Sequence, residues 1–581
     1  MKVEQIQNYP QIKQIQSNNK DNKVVVKGTP ANNTPNFTGA FDMMLRFLDT
    51  NPAWGADAVD LCFMVIPRTL TDFGRGADAG FETMRRESLG TINHSMIPVY
   101  GTITGALVAS ALNNAYFDKG SKIKSNKIHA DSETLDLMGK LYKEEIDAAK
   151  GVPEAKPLKN FLVKYFNSYE ALSPTENGKY ISLEDVRKAE DGAKSVAEEV
   201  AEILAKEIEE SKDSPKKDIL KTAKAKIVSA LGVENNFRIK VPEGTAQHAS
   251  RYTLDTIIDN AYKLGFSFDK DSIKQTFIDG AKDVENAFIK SMKNMNIKRS
   301  LFGLGIASLV GISAQPFNMW LTRKKTGATG FVGGGEEDKS LKFKIKKTLV
   351  GLAFLAGALY TIGNPKNIIT NLQFKGANPT LNQFKFVYGI TIFSRFLSAR
   401  NDNELAETSV KDTLGFANWL ILGNFVQKLA AQAMDKDLIK RDGTTALDWI
   451  RGSVLKSRDE ILHEGLERIG DKAKAFKDGK ALNYKELAKL ADSVTKVKLR
   501  KISIAQLINY AYTGLVLGVG IPKLNIYLTG RREAKKAAEK AAKEASSQQQ
   551  TASVNVPLTG SANNMLIQKA NAEFMNKAGM V

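Results

Sequence analysis

The chain has 581 residues, with 83 lysines and arginines against 64 aspartates and glutamates, a formal net charge of +19. That length exceeds one domain of ~150 residues, and the basic excess favours phosphate-rich partners such as anionic lipid or nucleic acid. The single cysteine, Cys62, excludes an intrachain disulfide and a cysteine-rich metal cluster.

Residues 1–37 are rich in Asn and Gln and carry no apolar h-region. They are read as a flexible polar tail without a secretory signal. Helical unit one follows over 38–322. In it "LCFMVIP" makes Cys62 an expected buried apolar residue, and "VIPRTL" sets Arg68 on a short apolar helix. An uncharged run extends from Ser88 to Phe117, and Gly101, Gly105 and Ala109 recur in it at the four-residue spacing that lets another helix approach one face.

A charged helical insert is predicted over about 118–297. In "SLEDVRKAEDGAKSVAEEVAEILAKEIEE", Ser182 and Asp185 read as a capping-box start, and Val196, Val200, Ile203 and Ile208 form an apolar stripe. Strand signals are few, "FRIKVPEG" among them. The next uncharged run, Ser300 to Thr322, carries Gly303, Ala307 and Gly311 on one face. It ends in "MWLTRKK", where Trp320, Arg323, Lys324 and Lys325 fit a membrane interface.

Residues 323–384 form a glycine-rich hinge, a basic segment and an additional apolar helix over Thr348 to Gly363. Within "KKTGATGFVGGG", Thr326 to Gly333 fits T-G-x-x-G-x-x-G and resembles the phosphate loop of extended short-chain dehydrogenases. The resemblance implies NAD(P) binding. A dinucleotide site also needs a strand leading into the loop and an acidic residue ~20 positions later. The preceding residues instead end an apolar helix, and no Asp or Glu occurs between Lys339 and Asn401. The nucleotide-binding enzyme is therefore the disfavoured alternative, and Gly327, Gly330, Gly333, Gly334 and Gly335 are read as a hinge. The ten Lys and Arg from Lys339 to Arg400 flank apolar runs, a pattern that suits an anionic membrane surface better than DNA.

Helical unit two spans 385–529, with apolar runs over Thr413 to Gln427 and Ile502 to Pro522 and a charged helical insert at about 435–500. A helix over 502–522 would reach ~31 Å, about the hydrocarbon thickness of a bilayer. Residues 530–581 continue as a basic helix and a flexible tail.

The two units carry an internal duplication. "ETMRRESLGTIN" at 82–93 aligns without gaps to "ETSVKDTLGFAN" at 407–418, and collinear matches flank it, Arg68 with Arg395 and "NMWLT" at 318 with "NIYLT" at 525. The paired "NGKYISLED" and "DGKALNYKE" faintly resemble calcium-binding EF-hand loops but lack the early oxygen ligands. The four histidines are scattered, and "HEGLE" lacks the second histidine of a zinc motif, so no metal site is expected.

Polar residues that recur in or beside the apolar segments need partners, which nominates Arg68 and Arg395, Glu82 and Glu407, Asn93 and Asn418, and Asn318 and Asn525. The expected protein is all-α: a multi-helix membrane-associated protein with an internal duplication and charged helical inserts. Its expected role is that of a non-enzymatic scaffold or envelope component at a membrane, without a cofactor. Its expected partners are anionic lipid and, through the inserts, proteins, but no nucleic acid. The alternative is a transporter or channel built from the duplicated units.

Overall fold

The computed structural model describes residues 40–74, 76–112, 127–172, 180–184, 194–210, 216–231, 237–240, 252–280, 285–327, 337–363, 368–376, 378–439, 449, 454–468, 476–477, 480–481 and 484–552. The predicted tails at 1–37 and beyond 552 lie outside them, as do Asp185 of the capping expectation and, in the paired "NGKYISLED" and "DGKALNYKE", Gly178, Gly479 and Asn483.

The fold is all-α with two small antiparallel sheets. The first helices are α1 (Ala40–Thr50), α2 (Pro52–Val59), α3 (Ile66–Phe73), α4 (Ala77–Ser95) and α5 (Ile97–Leu112), and a π-helical turn at Asp60–Val65 joins α2 to α3. Proline stands in the first turn of α2, where its missing N–H costs nothing, and Pro67 follows the π-helical turn that leads into α3. The uncharged run from Ser88 is not one helix. It breaks at Met96, and Pro98 starts α5.

The first insert comprises α6 (Ser132–Ala148), α7 (Pro157–Asn167), α8 (Val196–Glu210), α9 (Lys217–Leu231), α10 (Leu254–Phe268) and α11 (Asp271–Asp279). With them goes a sheet of β1 (Tyr169–Leu172), β2 (Tyr180–Ser182) and β3 (Phe237–Ile239) in the order β2-β1-β3. The insert has its own apolar core. Met138, Tyr142, Phe161, Tyr165 and Phe268 are buried in it, and the rings of Tyr142 and Phe268 stack 4.3 Å apart. The predicted strand "FRIKVPEG" is β3, registered with Ala171 opposite Phe237.

Two expectations are corrected here. Ser182 does not cap a helix, because it ends β2 opposite Glu170 of β1. The cap lies further on, where Ser195 Oγ accepts from the Glu198 N–H and the Ser195 N–H donates to the Glu198 carboxylate at 2.7 Å. Cys62 is exposed, since it falls on the outer face of the π-helical turn beside exposed Leu61 and Ile66. In addition, the 40-residue α12 (Ala287–Thr326) runs into the glycine loop without any strand, and Gly327 closes it in the left-handed region at φ 70°. Gly330, Gly333, Gly334 and Gly335 lie outside the described residues.

Helix α12 joins insert to bundle. Phe288, Ile289 and Met292 belong to the insert core, and the later turns pack on α4 and α5. The α5 contact uses the predicted small-residue faces: a Cβ placed on Gly303 would lie 3.2 Å from the Gly101 backbone. Pro316 interrupts the α12 ladder, and the carbonyl it frees, that of Ile312, accepts from Ser394 Oγ at 2.7 Å.

The second half contains α13 (Leu341–Tyr360), α14 (Ile368–Leu372), α15 (Leu381–Ser398), α16 (Asp402–Ala417) and α17 (Gly423–Met434), with a π-helical turn at Asn418–Leu422. After it come α18 (Arg458–Arg468), the hairpin of β4 (Phe476–Lys477) and β5 (Lys480–Ala481), and α19 (Tyr484–Leu490). Then α20 (Ser493–Thr513) continues through a third π-helical turn, Gly514–Gly520, into α21 (Ile521–Ala552), whose basic later turns are exposed. Helix α12 and the continuous α20–α21 helix are long and apolar enough to cross a bilayer.

Candidate functional site

The bundle interior holds a charge cluster centred on Glu87 of α4, which is 6% exposed. Arg395 of α15 reaches Glu87 Oε2 at 3.2 Å with Nη2 and Asp412 Oδ1 of α16 at 3.1 Å with Nη1. Arg68 of α3 approaches the same Glu87 oxygen at 3.6 Å and donates from Nε to the Leu517 carbonyl at 3.3 Å. Lys411 and Arg86 reach Oε1 of Glu87 at 2.9 and 3.3 Å. One carboxylate thus gathers four cations contributed by α3, α4, α15 and α16. That arrangement is costly to desolvate and costlier to break.

The predicted polar residues are placed as follows. Arg68 and Arg395 meet at Glu87. Asn93 donates to the Ala307 carbonyl of α12 at 2.9 Å, and Asn418 accepts from the Tyr512 hydroxyl of α20 at 2.8 Å. Asn318 Oδ1 accepts from Arg85 Nε at 2.9 Å, and Asn525 Nδ2 donates to the Glu407 carbonyl at 3.2 Å. Glu82 is buried and Glu407 half-buried. At the end of α12, Trp320 is 53% exposed with Lys324 Nζ 5.5 Å from its ring, Lys325 lies 3.5 Å from Asp78, and Arg323 is exposed.

Sequence reasoning matched Glu87 to Asp412 but nominated neither; their place beside the paired arginines was the available signal. It also missed Arg458, 1% exposed, which binds Asp49 at 2.9 Å, Ser503 at 3.1 Å and Gln506 at 2.7 Å, and so ties α1 to α18 and α20. A further unpredicted group is Asp57 of α2 and Asp60 of the π-helical turn after it, opposite Thr91, His94 and Ser95 of α4. Thr91 Oγ1 donates to Asp60 at 2.6 Å, and Ser95 Oγ donates to Asp57.

The joint between insert and bundle is polar as well. The Ser132 N–H donates to Gln373 at 3.0 Å, and Asp131 accepts from the Tyr252 hydroxyl at 2.6 Å and the Thr134 N–H at 2.9 Å. Burial pushes the Asp131 carboxyl up, but Lys375 and these donors outweigh it and hold it below the usual carboxylate range. Burial, reinforced by Arg299 and Lys263, lowers the half-buried His129 well below its ordinary range.

The crevice beside Arg395, lined by Arg86, Gly90, Gly311, Ala314, Gln315 and Thr391, has room for about one water molecule. Comparison of the chain with family models, curated proteins and solved structures finds no match.

Proposed function

We propose that the protein is an integral membrane scaffold, without enzymatic activity, whose helical bundle sits in the bilayer and whose inserts stand outside it. The carrying observation is where exposed apolar side chains lie. Leu107, Leu309, Leu349, Leu515 and Tyr527 are 60–69% exposed on bundle helices. Among the described residues of the first insert, large apolar side chains are exposed only at Val152 and Ile278. A belt of this kind needs cover, and lipid supplies it. The most apolar windows of α12 and of α20–α21 are only 39% and 44% buried, unlike those of a soluble protein's core helices.

We infer an internal duplication from the same contacts. Arg68–Glu87 and Arg395–Asp412 repeat one ion pair at aligned positions, while Asn93 and Asn418 each hold the long helix of their own unit. Each unit's arginine helix also binds the other's long helix, through Arg68 to Leu517 and Ser394 to Ile312. The two units would then clasp one another. The burial of Glu87 and the water-sized crevice beside Arg395 support a scaffold over a transporter, which needs a hydrated passage. The exposed cations of α12 and α21 suit anionic headgroups.

The test is fractionation of the full-length protein. It is expected in the membrane pellet, resistant to carbonate and released by detergent. Recovery in the supernatant without detergent would sink the reading.

A further inference from the structure

We propose that Asp57, Asp60 and His94 form a binding site for a divalent first-row transition-metal ion. The three residues are 7%, 6% and 1% exposed, and one ligand atom from each lies within 4.8 Å of the others. Donors this close surround a point that small side-chain adjustments bring to Zn–N and Zn–O distances of ~2.0–2.2 Å.

The second observation is unmet bonding capacity inside the group. Both ring nitrogens of His94 and Oδ1 of Asp57 are buried without a hydrogen-bond partner. A neutral imidazole carries one donor and one acceptor, and a metal ion at the acceptor nitrogen relieves part of the cost of burying both unpaired. Neither aspartate makes an ion pair among the described residues. Arg68 attracts Asp60 at longer range but makes its ion pair with Glu87, which Arg395 and Lys411 also bind. Two adjacent buried carboxylates therefore lack a directly paired countercharge, and a divalent cation supplies one.

The surroundings hold the ligands in place. Thr91 and Ser95 donate to the aspartates from the helix that carries His94, an outer shell that fixes the carboxylate orientations. The imidazole is wedged against the rings of Phe384 and Tyr388, with centroids 4.5 and 5.3 Å away. Asp60 opens a π-helical turn, a distortion that recurs at functional sites. One imidazole with two carboxylates and no thiolate selects Zn²⁺, Mn²⁺ or Fe²⁺ over Ca²⁺ or Mg²⁺, which take oxygen ligands, and over Cu⁺, which takes sulfur.

The experiment uses full-length protein in detergent, stripped with EDTA and titrated calorimetrically with Zn²⁺, then with Mg²⁺ and Ca²⁺. One equivalent of Zn²⁺ is expected to bind. Its affinity should fall at least ~10-fold in Asp60→Asn and in His94→Gln, and stay unchanged when His248→Gln and His463→Gln are combined. Co²⁺ should give visible absorption bands in the wild type that both site variants lose. Should either variant misfold, Asp57→Asn and the Co²⁺ spectrum of the wild type carry the test. No bound zinc, zinc binding unchanged in the site variants, or displacement of zinc by equimolar Mg²⁺ or Ca²⁺ would each overturn the assignment.

Discussion

Arg395 bridges Glu87 and Asp412, 3.2 Å from one and 3.1 Å from the other, and so links helices from both halves of the chain through one guanidinium. Glu87 is the more exposed to loss, because Arg68, Lys411 and Arg86 also depend on it. Replacing Glu87 by Gln keeps the shape and removes the charge, leaving buried cations opposite a neutral amide. The expected cost is ~3–5 kcal/mol, read as a lowered unfolding temperature in detergent. Lys411→Met added to Glu87→Gln should recover part of that loss, because one stranded cation goes with it. A Glu87→Gln protein that melts with the wild type would contradict this account.

The apolar belt makes a second prediction. Leu309 of α12 and Leu515 of the continuous α20–α21 helix are 68% and 69% exposed. On a water-facing surface, exchange of either for Asp should change stability by no more than ~0.5 kcal/mol. Facing lipid near the middle of a spanning helix, the same exchange should cost ~2.5–3.5 kcal/mol in insertion. Membrane recovery of Leu309→Asp and Leu515→Asp should therefore drop sharply, whereas Val152→Asp in the first insert should behave as wild type. Equal recovery of all three would place water outside the bundle.

How far the sequence anticipates this arrangement depends on the range of the interaction. Apolar runs, small-residue faces and the β3 signal are local patterns, and the structure uses them in Gly101, Gly303 and Phe237–Ile239. Arg68 and Arg395 were legible because a charge in an apolar helix needs a partner. Their partners were not, since Glu87 and Asp412 sit in polar-looking stretches and only the packing of α3, α4, α15 and α16 buries them. Cys62 is exposed against expectation because the π-helical turn shifts the helical phase by which a face is assigned. Asp57 and Asp60 share a helix face at a readable spacing, but nothing local brings His94 beside them.

A third prediction tests the seam between α5 and α12. A side chain on Gly303 meets the Gly101 backbone at 3.2 Å and Thr104 Oγ1 at 3.3 Å, atoms that cannot rotate away cheaply. Gly303→Val should force the helices apart at ~1–3 kcal/mol. Gly357 on α13 has nothing within 4 Å of an added Cβ, so Gly357→Ala should leave stability unchanged or raise it by up to ~1 kcal/mol through helix propensity. Unfolding temperatures of the two variants in one detergent decide the matter, and similar values would remove the close-approach argument.

The last prediction concerns acid and the joint between insert and bundle. His129 is held well below its ordinary value of 6.5, with burial the largest cause. The unfolded chain therefore takes up a proton first on acidification, and folded stability is full above 6.5 and declines as pH falls below it. Asp131, held below 3.8, has the same sign in a lower window: its contribution is present above 3.8 and disappears as pH falls toward its folded value. Hydrogen exchange of α6 and α10, corrected for intrinsic rates, should show two stages of lost protection on acidification. His129→Asn cannot titrate there and should abolish the upper stage while leaving the lower one. Because Asn260 holds the His129 backbone through both its N–H, at 3.0 Å, and its carbonyl, at 2.7 Å, the substitution should leave the local fold in place. An upper stage that survives in His129→Asn would assign the acid sensitivity to another group.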